Sequence, residues 1–280
     1  MIDIQLLDAG HCTHPQFVVL RNRSLVPMRF HSMFAVMMHP TEGVILFDTG
    51  YSRSFLEATR RFPERIYTLT TPVFVSQEEC AVYKLKKLGI APQDVRHIII
   101  SHFHADHYAA IADFPKATYW FDSQAWENIR KKGAWRAVFS GFLPALIPDD
   151  FLSRARPITA KEIRPLPSHF APFSKGFDMF GDETLFLVEL AGHATGQLGC
   201  FVQSQKERSI FLVADACWTS QSYQEKIVPH PITKILFSDY GIYQQTLQQL
   251  HDFAFDNPHV LIVPSHCPDI HAHHCNSGSL

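Results

Sequence analysis

The segment Ser101-His102-Phe103-His104-Ala105-Asp106-His107 follows a short apolar run and carries three imidazoles and one carboxylate. These groups bind zinc, iron or manganese at neutral pH. If the apolar run is a strand, His102 and His104 can point the same way as the chain leaves it. Asp106 and His107 can then face a second point once the chain turns. The segment predicts two metal positions in one cleft, and a His-rich surface loop is the simpler alternative.

The HxHxDH pattern resembles the metallo-β-lactamase-fold hydrolases, whose signature continues with a distant His, a distant Asp and a last His. His193 lies in Ala191-Gly192-His193-Ala194-Thr195-Gly196, which is similar to the PGHTxG turn of that family. Asp215 and His266 each follow an apolar run that predicts a strand. The resemblance extends over residues 2–267 and fills every ligand position of the signature.

This resemblance implies two divalent metal ions, with Zn²⁺ as the first choice and iron or manganese as alternatives. The implied ligands are His102, His104 and His193 for the first metal, Asp106, His107 and His266 for the second, and Asp215 as the bridge. Two such cations lower the pKa of a shared water from about 15.7 towards about 7. A metal-bridging hydroxide is then the expected nucleophile, and Asp106 is the residue expected to orient it or to take up its proton.

The resembled family has an α/β fold, a four-layer αββα sandwich, and we expect the same fold here. The expected ligands are spread from His102 to His266, so both halves of the chain must build one site. We therefore predict a single domain over residues 1–280. Apolar residues make up 46% of the chain and charged residues 19%, which leaves ample material for a buried core.

Local patterns predict the elements that surround the site. Apolar spacing indicates a helix over residues 78–88, ended by Gly89, and a late helix over residues 244–255. Residues 34–39 and 44–48 alternate around turn-forming residues and predict a hairpin.

The region from residue 133 to residue 181 differs in composition from the rest of the chain. Residues 133–181 contain eight Trp or Phe residues and six prolines, which predicts short helices and loops rather than strands. In the resembled family an insertion at this place commonly covers the active site. We expect a lid or substrate wall with an apolar lining, and a homodimer interface is the alternative. The predicted partner is a small molecule with an apolar portion.

The closest similarity within the family is to the quorum-quenching N-acyl homoserine lactonases. This similarity rests on the motif Phe47-Asp48-Thr49-Gly50, on the HxHxDH segment, and on the aromatic residues of the insertion at 133–181. It implies hydrolysis of an ester-type bond, most simply in a lactone, and a supporting role for Asp48 behind the ligands. Lactonases usually place a Tyr three residues after the bridging Asp, where this chain has Trp218. Tyr223 is the candidate catalytic substitute and Tyr108 another, each with simple packing as the alternative.

Two other functions remain open at this point. A thioesterase similar to glyoxalase II would need a basic patch for the glutathione carboxylates. A non-catalytic member of the fold would use the same pocket for binding alone.

Charge and hydropathy exclude several classes of partner. Lys plus Arg number 25 against 27 for Asp plus Glu, and no basic stripe suits a phosphate backbone, so we expect no nucleic acid. No run is long enough for a membrane span and no secretory signal pattern is present, which predicts a cytoplasmic protein. The six cysteines form no CxxC pair and are expected to be reduced. The His-rich tail over residues 270–280 is predicted to be flexible.

Overall fold

The computed structural model describes residues 2–204 and 209–275 of the chain. Its first sheet contains seven strands. These are β1 (Asp3–Pro15), β2 (Pro27–His39), β3 (Gly43–Phe47), β4 (Val73–Phe74), β5 (Val95–Ile99), β6 (Thr118–Asp122) and β7 (Ala155–Ile158). They lie in the order β4-β1-β2-β3-β5-β6-β7. The neighbours β3, β5, β6 and β7 pair in parallel, whereas the pairs β4–β1, β1–β2 and β2–β3 are antiparallel.

The second sheet has six strands in the described part of the chain. These are β8 (Arg164–Pro165), β9 (Lys175–Asp178), β10 (Leu185–Glu189), β11 (Leu198–Val202), β12 (Ile210–Ala214) and β13 (Leu261–Pro264). The order is β13-β12-β11-β10-β9-β8, and only β12 and β13 pair in parallel. Side chains of both sheets, such as Ile45 and Leu187, form one buried apolar cluster between them.

Helices follow or connect these strands. They are α1 (Gln16–Val19), α2 (Arg53–Ala58), α3 (Arg65–Thr70), α4 (Ala81–Lys87), α5 (Ala105–Tyr108), α6 (Ser123–Ile129), α7 (Ala134–Phe139), α8 (Phe151–Arg154), α9 (Ser220–Gln224), α10 (Tyr240–Asp256) and α11 (Pro268–Ile270). The predicted αββα fold, the hairpin of β2 and β3, and the helices α4 and α10 are confirmed. Gly89 ends α4 with a φ of 77°, a conformation that glycine adopts without strain. No helix in the described residues is both long and apolar enough to cross a membrane.

The proline-rich insertion is partly extended. Residues 133–181 include the strands β7, β8 and β9, so the prediction of helices and loops alone was wrong there. Pro157 lies in β7 and Pro165 in β8, and each of these strands is at the edge of its sheet. An edge strand has one side on which no backbone N–H is needed, and proline is tolerated there.

The chain beyond β13 is helical as far as it is described. A π-helical turn, His271–Cys275, follows α11 and contacts β1, which differs from the flexible tail we predicted over residues 270–280. The His271 ring stacks on His31 with the centroids 3.5 Å apart, and its Nε2 lies 3.3 Å from Asp8 Oδ2. These partners are far away in sequence and hold the turn on the sheet. Residues 276–280 lie outside the described residues.

The Asp8 carboxylate contacts side chains from three other parts of the chain. Its side chain is 13% exposed and contacts His31 Nδ1 at 3.0 Å, together with Lys84 Nζ and His271. Burial raises the pKa of Asp8, but the hydrogen bonds from His271 and His31 and the Lys84 charge outweigh it, so the pKa falls well below its usual range. The ionised form is therefore favoured by folding.

We expect Asp8→Asn to lower the free energy of unfolding on the order of 2 kcal/mol at pH 7. Because the folded pKa is depressed, this stabilisation is present above the ordinary pKa of 3.8 and is lost as the pH falls below it. Urea unfolding of wild type and variant at pH 7 and pH 3 measures the difference. An equal difference at both pH values would contradict the ionic origin.

Candidate metal centre

Four strand ends bring the predicted ligands together. The segment from Ser101 to His107 leaves β5, Asp215 follows β12, His266 follows β13, and His193 lies in the turn between β10 and β11. The structure brings all seven side chains into two adjoining groups of donor atoms. One contains His102, His104, His193 and Asp215, and the other contains Asp106, His107 and His266. Within each group the donor atoms lie within 4.8 Å of one another.

Asp215 connects the two groups through its two carboxylate oxygens. Oδ2 lies 3.3 Å from His193 Nε2, and His193 Nε2 is 3.0 Å from His104 Nδ1. Oδ1 lies 3.2 Å from His266 Nε2 and 3.4 Å from His107 Nε2. Zinc bonds of about 2.0–2.1 Å in a tetrahedron place neighbouring donor atoms about 3.3–3.4 Å apart. The spacing of these atoms therefore fits a shared cation in each group.

Buried atoms without a hydrogen-bond partner support the same fit. In the described part of the chain, His102 Nε2, His107 Nε2 and Asp215 Oδ1 are buried and accept or donate no hydrogen bond. Such atoms are costly unless water or an ion satisfies them. All three belong to the two donor groups, so a bound cation supplies the missing partner for each.

Three histidines of the donor groups have a hydrogen-bond partner at the second ring nitrogen, whereas His193 Nδ1 is buried without one in the described part of the chain. Ser101 Oγ lies 3.1 Å from His102 Nδ1, and His266 Nδ1 donates to the carbonyl oxygen of His31 at 2.9 Å. His107 Nδ1 donates to Asp48 Oδ2 at 2.8 Å. These contacts hold each Nε2 towards the donor group and favour the tautomer that can bind a metal.

Asp48 has the position that the family resemblance implied. Its carboxylate accepts from the backbone N–H of Ser101, from the Ser101 hydroxyl and from His107 Nδ1, each at 2.8 Å. The residue is fully buried with a φ of 63°, a left-handed conformation that Asp and Asn tolerate better than most residues. One carboxylate thus holds both the start of the metal-binding segment and one of its ligands.

Burial and charge act differently on the two groups. Burial lowers the pKa of His104 to about 4 and that of His193 to about 3, so both imidazoles are neutral and available as ligands. Burial also opposes protonation of His107, but Asp106, Asp48 and Asp215 outweigh it and raise its pKa to about 10. When no metal is bound, a proton on His107 offsets part of the negative charge of the nearby carboxylates. A metal ion that binds there must displace this proton.

A cavity of about 290 Å³ opens beside the first group. His104 and His193 form part of its lining, and its walls come from α6, α7 and residues 235–238. Phe103, Ile129, Phe139 and Phe237 give these walls an apolar part, and polar side chains including Asn128, Ser140 and Thr195 line the rest. Part of the insertion thus forms a wall of the pocket, next to the ligands.

The three aromatic side chains considered for catalysis lie in different surroundings. Trp218 Nε1 donates to Asp215 Oδ2 at 2.8 Å, a contact that the sequence did not reveal. The Tyr108 hydroxyl donates to the Leu143 carbonyl at 3.0 Å and accepts from the Leu143 N–H at 2.9 Å, so it ties the insertion to α5. Tyr223 lies in α9 and lines a different cavity of about 350 Å³, beside His251 and Phe255. The described residues that line the His104 cavity do not include Tyr223.

One further contact joins the insertion to the ligands. Gly141 has a φ of 68°, and a Cβ atom there would lie 2.6 Å from His104 Cδ2. Its carbonyl accepts from the backbone N–H of Ala105 at 2.9 Å. A lone glycine in an aromatic stretch was the only sequence signal for this close approach.

Comparison with known proteins gives consistent matches along most of the chain. Residues 29–266 match the metallo-beta-lactamase superfamily. The N-acyl homoserine lactonase AttM of Azorhizobium caulinodans is 28% identical over 239 residues, covering 84% of this chain and 81% of that protein. AttM of Agrobacterium fabrum is 25% identical over 238 residues, with 84% and 81% covered.

Solved structures share the fold at low sequence identity. An N-acyl homoserine lactone hydrolase with N-hexanoyl-L-homoserine at its catalytic metal centre superposes with a TM-score of 0.70 at 17% identity, covering 96% of this chain and 95% of that one. AidC, a dizinc quorum-quenching lactonase, gives a TM-score of 0.65 at 15% identity, covering 95% and 88%.

Proposed function

The chain belongs to the metallo-beta-lactamase superfamily, and on that premise we propose that it hydrolyses a lactone carrying an apolar substituent. The observation that carries the proposal is the pair of donor groups sharing Asp215 beside a cavity whose lining includes Phe103, Ile129, Phe139 and Phe237. Relatives of this chain are N-acyl homoserine lactonases, which supports a lactone ester as the bond that is hydrolysed. Action in the cytoplasm and assembly as a homodimer stay predictions from the sequence.

We infer two divalent metal ions, with zinc as the first choice. His102, His104 and His193 would hold one, Asp106, His107 and His266 the other, and Asp215 would contact both. Such cations supply Lewis acidity and make hydroxide available from water near neutral pH.

The chain's own residues then have distinct tasks in the proposed reaction. Water adds to the lactone carbonyl carbon, the ring C–O bond breaks, and the ring oxygen receives a proton, which gives a hydroxy acid. Burial raises the pKa of Asp106, but His107 and His266 outweigh it and lower the pKa to about 2, so its carboxylate is ionised and can orient water as a hydrogen-bond acceptor. The apolar side chains of the cavity, among them Phe103 and Phe237, would contact the substituent.

The test is a turnover panel with the metal-loaded protein, in which lactones, S-acyl glutathiones and phosphodiesters are compared at matched concentration. We expect lactone hydrolysis whose kcat/KM rises with the length of the apolar chain, and loss of activity when the metal is stripped. Preferred turnover of S-acyl glutathione would instead indicate a thioesterase. Tight lactone binding without turnover would indicate a non-catalytic member of the fold, and activity without metal would contradict the mechanism.

A further inference from the structure

The cavity beside His104 and His193 contains a positive charge that the reaction itself does not require. Among the described residues that line it, Lys132 is the only lysine, and none is Arg, Asp or Glu. Lys132 lies between α6 and α7, where its backbone N–H donates to the carbonyl of Ile129 at 3.0 Å. A fixed turn therefore presents this side chain to the pocket.

The Lys132 ammonium is not neutralised. Its Nζ donates to Ser140 Oγ at 2.8 Å, and that hydroxyl donates onwards to the carbonyl of Arg136. Across residues 2–204 and 209–275, no carboxylate oxygen lies within 4 Å of Lys132 Nζ, and the neighbouring Glu127 is paired with Arg130 at 2.7 Å. An ammonium has three donors, so Lys132 retains capacity for a further acceptor.

The surroundings of Lys132 strengthen the attraction between its ammonium group and an anionic acceptor. The side chain is half-buried in the cavity, beside the apolar side chains of Ile129 and Phe139. Where water is partly excluded, attraction between opposite charges is stronger than in bulk solvent. A hydrogen bond between two ionised groups is also about twice as strong as a neutral one.

Ser140 and Gly141 connect Lys132 to His104. Gly141 packs directly on the His104 ring, and Ser140, the partner of Lys132, is its neighbour in the chain. Lys132, His104 and His193 also line the same cavity. A single ligand in the cavity can therefore contact both the metal side and the ammonium.

We propose that Lys132 recognises a carboxylate on the apolar portion of the substrate, so that the preferred substrates are anionic lactones. This inference rests on the proposed lactonase function. An amphiphilic acid fits the cavity, because its hydrocarbon part meets the apolar part of the walls while its carboxylate pairs with the one uncompensated charge.

The experiment compares two N-acyl homoserine lactones with acyl chains of equal length, one ending in a carboxylate and one in a methyl group. We expect the wild type to prefer the carboxylate form by at least about tenfold in kcat/KM, mainly through KM. Lys132→Met should abolish this preference, Lys132→Arg should largely keep it, and Lys132→Glu should reverse it. Lys131→Met is the matched control, because it removes the same charge from an exposed neighbour outside the cavity lining.

Outcomes separate this inference from the proposed function. Equal turnover of both lactones by wild type, or a preference that survives Lys132→Met, would overturn the role of Lys132 and leave the hydrolase intact. If neither lactone is turned over, the role of Lys132 is tested by calorimetry, which measures the binding of the two corresponding lactams to the metal-loaded protein. Tighter binding of the carboxylate form that depends on Lys132 supports the inference, and equal binding overturns it.

Discussion

Asp215→Asn is expected to lower metal content from two equivalents to fewer than one and kcat/KM by at least about a thousandfold, or about 4 kcal/mol. Asp215 Oδ2 faces His193 and Oδ1 faces His107 and His266, so one side chain serves both donor groups. Asparagine keeps the shape but replaces one oxygen with an amide nitrogen that does not bind these metals. It also removes the negative charge that offsets two cations.

Elemental analysis of the dialysed protein and steady-state kinetics measure the two effects together. Asp269→Asn removes an exposed carboxylate outside both donor groups and should leave metal content and turnover unchanged. Circular dichroism establishes that Asp215→Asn still folds. Retention of two equivalents of metal by a folded Asp215→Asn protein would contradict the bridging assignment.

The members of the two donor groups were predictable because the HxHxDH segment and the later His, Asp and His resemble a known family signature. His102, His104, Asp106 and His107 lie within six residues after one strand, and parallel strands end at a common edge, which directs Asp215 and His266 to the same place. The same resemblance implied the layered fold, and the order of apolar runs and helices in the sequence is consistent with it. These features depend on short-range sequence and are readable without a structure.

Other features depend on contacts that local sequence does not encode. Tyr223 is in α9, which Thr219 caps by accepting from the Ser222 N–H, and the helix carries the phenol to another cavity. The tail is held by His271 against Asp8, residues at opposite ends of the chain. Lys132 acquires its significance from the absence of a carboxylate within 4 Å in the described part of the chain, which no pattern around it could indicate.

Asp48→Asn is expected to weaken the second metal position about 10- to 100-fold and to destabilise the metal-free protein on the order of 3 kcal/mol. The wild-type carboxylate accepts three hydrogen bonds, two from Ser101 and one from His107. An amide has one oxygen for these donors and turns an NH₂ group towards another donor, which leaves buried groups unpaired. His107 also loses one of the carboxylates that orient its Nε2 towards Asp106 and Asp215.

Asparagine isolates this effect because it tolerates the φ of 63° at position 48, whereas Asp48→Ala adds a backbone cost of about 1–2 kcal/mol. Metal titration with a competing chelator and urea unfolding of the metal-free protein give the two numbers. Asp94→Asn is the matched control. Asp94 accepts a hydrogen bond from the exposed Ala91 N–H and lies outside both donor groups, so the change should affect stability by under about 1 kcal/mol without changing metal affinity. If Asp48→Asn lowered stability but left the affinity of the second metal unchanged, Asp48 would serve the fold alone, and the orientation of His107 would have to come from Ser101, whose Oγ lies 3.4 Å from His107 Nδ1.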